Sequence, residues 1–348
     1  MTDSTHPAPP PGAPGEAAAP PDAGGDGPGR LPPGASTFTI EGRAAPGLYF
    51  VGWIASILGL GILLIGVMAG GGAAAVGLML VGAAVAGLGF VAAAGSQAIE
   101  RRARGRAYGG PSPFLVFVAS LPLQVVAVVL VVAPATALGL DGASPVAAFL
   151  SIGVTTLVYL GLIRLLVVGP GALGWRDMGV GRFDRRALAD LASGAVLGLP
   201  LVILVSLLAA ILVQLVGAAP DSVLPPSSTS LGFLLNLATA AVVAPAGEEL
   251  FFRGFATTAW ARGMSPTRGL IRGALFFALV HVLTIGGQSF GDAGGRALVA
   301  FVARLPVALA LGWVFLRRRS IYASIGLHAA YNGILVVLAE FAARAGGA

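Results

Sequence analysis

Ala244-Pro-Ala-Gly-Glu-Glu-Leu-Phe-Phe-Arg-Gly-Phe255 sets two adjacent carboxylates at the end of a run, Gly232 to Gly247, that carries no charge. An ionisable group at bilayer depth costs at least ~2.5 kcal/mol unless it is partnered. On a helix, Glu249 and Arg253 are four residues apart and meet on one face, while Glu248 lies about 100° round and points elsewhere. One carboxylate is thereby neutralised and one is left over, and a leftover carboxylate in a partly dry site is suited to general acid or base work. The competing reading is an ion-pair pivot with no chemistry, and it suits Glu249 better than Glu248.

Working outward from this stretch, the whole chain reads as a membrane protein. Hydrophobic residues make up 56% of its 348 positions and charged residues only 10%, with a mean hydropathy of +0.89, which no soluble core absorbs. The net charge of +6 comes from arginine alone. Those arginines cluster between apolar runs, as membrane topology requires, so nucleic acid is not an expected partner. Cysteine is absent, which removes disulfides, a thiol nucleophile and thiolate metal sites.

Residues 1–40 hold ten prolines among Ala, Gly and Asp and are expected to be a disordered cytoplasmic tail. No basic start leads into an apolar core there, so the tail is not read as a signal peptide. Nine stretches near the ~20 residues needed to cross a bilayer follow: 47–69, 73–95, 113–138, 145–168, 191–217, 231–254, 268–286, 296–316 and 320–341. The expected fold is an all-α polytopic transmembrane bundle of about nine spans, eight being the alternative count. Its divisions are an N-terminal hairpin (46–96), further helices with an amphipathic cytoplasmic segment (112–218) and a catalytic core (231–341). Arg101, Arg102, Arg104 and Arg106, then Arg176, Arg182, Arg185 and Arg186, then Arg262 and Arg268, then Arg317 to Arg319 all fall in alternate loops. The opposite loops contain no arginine, which puts the N-terminus in the cytoplasm. The segment Trp175 to Asp190 is expected to form a surface helix beneath the head groups, and Arg164 and Glu340 are expected to snorkel from span ends.

Apart from His6 in the tail, the only histidines are His281 and His328, each inside a late apolar stretch. His328 and Asn332, four apart, present an imidazole and a carboxamide on one helix face, both able to donate hydrogen bonds to an oxyanion. Interhelical glue is the alternative for each of them. Helix lengths bring Glu248, His281 and His328 to one level in the cytoplasmic half of the membrane. Arg304, mid-span and two residues before Pro306, is the least explained charge.

Glu248-Glu249-x-x-x-Arg253, Phe277-x-x-x-His281 and His328-x-x-x-Asn332, in this order on successive membrane segments, resemble the three signature motifs of the CPBP intramembrane protease family. That family includes the type II CAAX prenyl endopeptidases, lysostaphin-resistance-like proteins and bacteriocin self-immunity proteins. The likeness covers roughly Gly232 to Leu338, each motif being weak alone and the ordered set strong. It implies that Glu248 and His281 activate water, that His328 and Asn332 stabilise the oxyanion, and that Glu249 and Arg253 brace the site. A peptide or membrane-protein substrate, the bilayer, and a bacterial plasma membrane location are expected. One carboxylate and two imidazoles (Glu248, His281, His328) also form a conceivable zinc set, although HExxH is absent. Glutamate-activated water is preferred, with Zn²⁺ left open. The rival function is a non-catalytic scaffold or immunity factor that binds a peptide or partner in the same cavity.

Overall fold

The computed structural model describes residues 40, 42–220, 225–227 and 229–346. The expectation of a disordered tail over 1–40 therefore falls, except for Ile40, outside the described residues. Among these the chain is helical, with no strand. In chain order the helices are α1 (Pro46–Met68), α2 (Ala73–Ala103), α3 (Pro113–Ala137), α4 (Pro145–Val168), α5 (Arg185–Val216), α6 (Ser230–Gly263), α7 (Pro266–Val280), α8 (Phe290–Arg318) and α9 (Ile321–Gly346). All but α7 are long and apolar enough to cross a membrane. The protein is an integral membrane helical bundle.

Eight long helices, not nine, is thus the count among the described residues. The stretch 268–286 forms a helix of 15 residues ending at Val280, with His281 as its C-cap. That is about 22 Å of rise, short of a ~30 Å hydrocarbon core. Val282, Thr284 and Ile285 are β-branched and Gly286-Gly287 follows, so propensity fails where the helix would have to continue. The Ser289 side chain then accepts the Asp292 amide and starts α8.

One end of the bundle is drawn together by arginine contacts. Arg102 donates to the Pro170 carbonyl at 2.9 Å, Arg262 pairs with Asp177 at 2.6 Å and Arg318 approaches Asp190 at 3.9 Å. The loops after α2, α4, α6 and α8 therefore share that end. Because α8 finishes there after 29 residues, its first residue, Phe290, lies at the other, and α7 with the segment after it joins the two ends.

Packing runs α1 on α2, α2 on α3, α3 on α4, and α4 on α6; α6 meets α7 and α9, and α5, α8 and α9 complete the wall. The outer faces stay apolar, with Ile57, Leu64, Ile203 and Leu207 all exposed, as lipid contact requires. Inside, Phe251, Phe252 and Phe255 are fully buried; Phe251 and Phe252 interlock edge to face with Phe117, Tyr159 and Phe276 and Phe255 with Phe251, so they pack the core. The helices α5 and α9 approach closely. A Cβ on Gly194 would run into the Ala323 carbonyl, and one on Gly326 into that of Leu191. Only glycine lets these backbones come so near, and this contact fixes where α9 presents His328.

Two local expectations are corrected. Residues 175–190 do not form one surface helix: 175–179 are turns, with Asp177 accepting the Gly174 amide. Helix starts only at Arg185, where Asp184 caps two amides. Glu340 does not snorkel. It is 5% exposed, accepts the Ser227 amide at 2.9 Å and pairs with Arg344 at 2.7 Å, tying the loop before α6 to the end of α9.

Candidate active site

The site is assembled on α6, which departs from α geometry twice. Residues Thr239–Val243 and Glu249–Thr257 are π-helical, a form that recurs at functional sites. In the first, the Ala244 amide reaches back five residues to Thr239. The next donor in that register would be Pro245, which has no N–H, so the Ala240 carbonyl is left open. Asn332 of α9 fills the gap, its Nδ2 donating to Ala240 O at 3.0 Å. Thr156 of α4 donates to the Val243 carbonyl at 3.2 Å. In the second π segment, Thr257 Oγ1 donates to Phe252 O, five residues back, at 2.8 Å.

Glu249 and Arg253 are buried at 0% and 2% exposure and pair at 2.9 Å. The same oxygen, Glu249 Oε1, accepts His328 Nδ1–H at 2.7 Å. Glu249 Oε2 is buried with no hydrogen-bond partner among the described residues. Arg253 lies 4.1 Å over the Phe277 ring, and its Nη2 reaches the Ala308 carbonyl of α8 at 3.4 Å. Phe277 is thus a plate shared by the site: its ring centre is 4.2 Å from that of His281 and 5.9 Å from that of His328.

Glu248 points the other way, with its side chain a quarter exposed, as is that of His281. Its Oε2 is 3.5 Å from His281 Nε2 and 3.9 Å from His328 Nε2. His281 Nδ1 is 2.7 Å from Phe277 O. A carbonyl only accepts, so Nδ1 carries the proton, and in the neutral ring Nε2 offers a lone pair toward Glu248. The sequence-predicted residues Glu248, Glu249, Arg253, His281 and His328 are therefore in one constellation. Asn332 lies one turn beyond His328 on α9, with one of its two amide hydrogens committed to Ala240.

Both imidazoles have Nδ1 tied to an acceptor, as histidine ligands usually do. Among the described residues, however, no group of three His, Asp or Glu side chains is arranged to hold a metal ion.

Sequence reasoning missed the π segments, for which the signals are Pro245 and the Thr257-Thr258 pair. It also missed Tyr159 of α4, which lies within electrostatic reach of Glu248. Arg304 of α8 donates to the Ala300 carbonyl at 3.4 Å.

Neither the curated proteins nor the solved structures contain a significant match to this chain. Residues 230–334 match the family model described as Rce1-like, type II CAAX prenyl endopeptidase. That segment runs from the start of α6 through the motif residues of α9, so it encloses the whole constellation around Glu248. Over residues 230–334, the chain is thus similar to the Rce1-like, type II CAAX prenyl endopeptidase family.

Proposed function

We propose that the protein is an intramembrane endopeptidase in which Glu248 and His281 activate water against a peptide bond. The observation that carries this reading is the 3.5 Å gap between Glu248 Oε2 and His281 Nε2. Both groups are acceptors there, and a water seated beside them can donate one hydrogen to each. Glu248 takes a proton as the water oxygen attacks the scissile carbonyl carbon. The developing oxyanion is stabilised by His328 and by the second amide hydrogen of Asn332. Glu248 then passes its proton to the departing nitrogen, the C–N bond breaks, and an acid and an amine leave. Glu249 and Arg253 position His328 without touching substrate.

The substrate is a peptide or the tail of a membrane protein. The arginine-rich end of the bundle is placed in the cytoplasm of a bacterial plasma membrane, following the charge bias of its loops.

Peptide termini in membranes with the intact protein, compared with membranes carrying Glu248→Gln or His281→Ala, test the assignment. Loss of a proton acceptor at this position should lower cleavage by about 10²- to 10⁴-fold with membrane insertion unchanged. Retained cleavage in either variant ends the hydrolase reading. Loss of a phenotype without any change in termini would favour a binding scaffold.

A further inference from the structure

A cavity lies away from Glu248, between the α1–α2 hairpin and the Rce1-like segment. It encloses about 850 Å³, and five arginines line it against one glutamate. Glu100 is already shared: Arg43 takes Oε2 at 2.9 Å and Arg104 takes Oε1 at 2.6 Å. Arg101, Arg106 and Arg272 also line the cavity, and Arg101 donates to the Gly110 carbonyl at 3.0 Å. Among the described residues none of these three has a carboxylate within ion-pair distance. They come from three places in the chain, the end of α2, the loop after it, and α7, so helix spacing alone does not explain their convergence.

Beside Gln97 and Ser112, the cavity is lined by apolar and aromatic side chains that include Trp53, Phe114, Leu115 and Trp260. Trp53 is 40% exposed, and beside it the outer face of α1 shows Phe50 and Ile57 to the lipid. The start of α3 also opens here, with no side chain capping its first amides, which adds partial positive charge. A cationic mouth at the arginine-rich end of the bundle therefore continues into an apolar wall that faces the bilayer. We infer that this cavity binds an anionic phospholipid, its phosphate among Arg101, Arg106 and Arg272 and its chains along α1. Basic pockets between transmembrane helices take such head groups. The lipid joins the hairpin to α7, which carries His281 at its end. The inference is independent of the proteolytic reading.

The test uses the full chain in mild detergent, with lipid binding followed by native mass spectrometry. Phosphatidylglycerol should bind at least about tenfold more tightly than phosphatidylcholine, since at about 1 kcal/mol per arginine the unpaired charges supply that margin. The triple variant Arg101→Ala, Arg106→Ala, Arg272→Ala should lose about 100-fold on the same scale. The single variant Arg272→Gln should lose about fivefold and serves if the triple does not fold. A charge-matched control, Arg182→Ala, Arg185→Ala, Arg186→Ala, should lose less than about threefold, because those exposed side chains lie elsewhere, before and at the start of α5. Equal affinity for the two lipids, or an equal loss in the control, overturns the site. Displacement of phosphatidylglycerol by millimolar inorganic phosphate would assign the cavity to a soluble anion and overturn the lipid.

Discussion

Removing Asn332 should destabilise the bundle only while residue 245 lacks an amide hydrogen. Asn332→Ala leaves the carbonyl of Ala240, a residue 7% exposed, without the donor it has at 3.0 Å. An orphaned buried carbonyl costs about 1–3 kcal/mol, whereas hydrogen bonds between transmembrane helices average nearer ~0.6 kcal/mol. A loss of about 1 kcal/mol lies between these limits. In a Pro245→Ala background the new N–H can continue the π register that carries the Ala244 amide to Thr239 and can meet Ala240 itself. There Asn332→Ala should cost under about 0.5 kcal/mol, a coupling of at least about 0.5 kcal/mol that a double-mutant cycle resolves. Reversible unfolding in mixed micelles, or steric trapping in bicelles, gives the four free energies. Cleavage provides the second readout: if the other amide hydrogen serves the oxyanion, activity should fall about 10²-fold in both backgrounds. Equal destabilisation with and without Pro245 would refute the register argument.

Three further outcomes follow from the same geometry. Glu249→Gln should destabilise by about 3–5 kcal/mol, since it strands the buried Arg253 charge, and pairing it with Arg253→Met should recover most of that loss in the same unfolding assay. Gly194→Leu should break the α5–α9 contact and with it cleavage, whereas Gly171→Ala, at a site with open space around it, should leave hydrolysis intact despite local strain; inactivity of both with normal folding of Gly194→Leu would remove the close-approach argument. Activity should survive exhaustive chelation with a strong zinc chelator, with no metal in the purified protein by elemental analysis, and metal-restored activity would replace the water-activation scheme.

Much of the site was legible because intramembrane charge is scarce. Glu248, Glu249, Arg253, His281 and His328 stand out against apolar surroundings, and four-residue spacing alone pairs Glu249 with Arg253. The arginine loops likewise order the helices. What the sequence does not display is depth and contact. The 268–286 stretch has the composition of a span, yet its β-branched and glycine residues end α7 at Val280. Glu340 looks like a charge near a span end, yet its partners, Ser227 and Arg344, bury it.

From its sequence alone this protein is committed to a helical membrane bundle and to a short set of groups able to do chemistry, because apolar length and isolated charge are local properties. Tertiary structure decides which of those groups meet. Glu248 faces His281 and His328 only because glycine contacts seat α9 against α5, Phe277 stacks between three motif side chains, and Pro245 opens a carbonyl that Asn332 closes from another helix. Each of these depends on surfaces distant in the chain, and no periodicity within one helix encodes them.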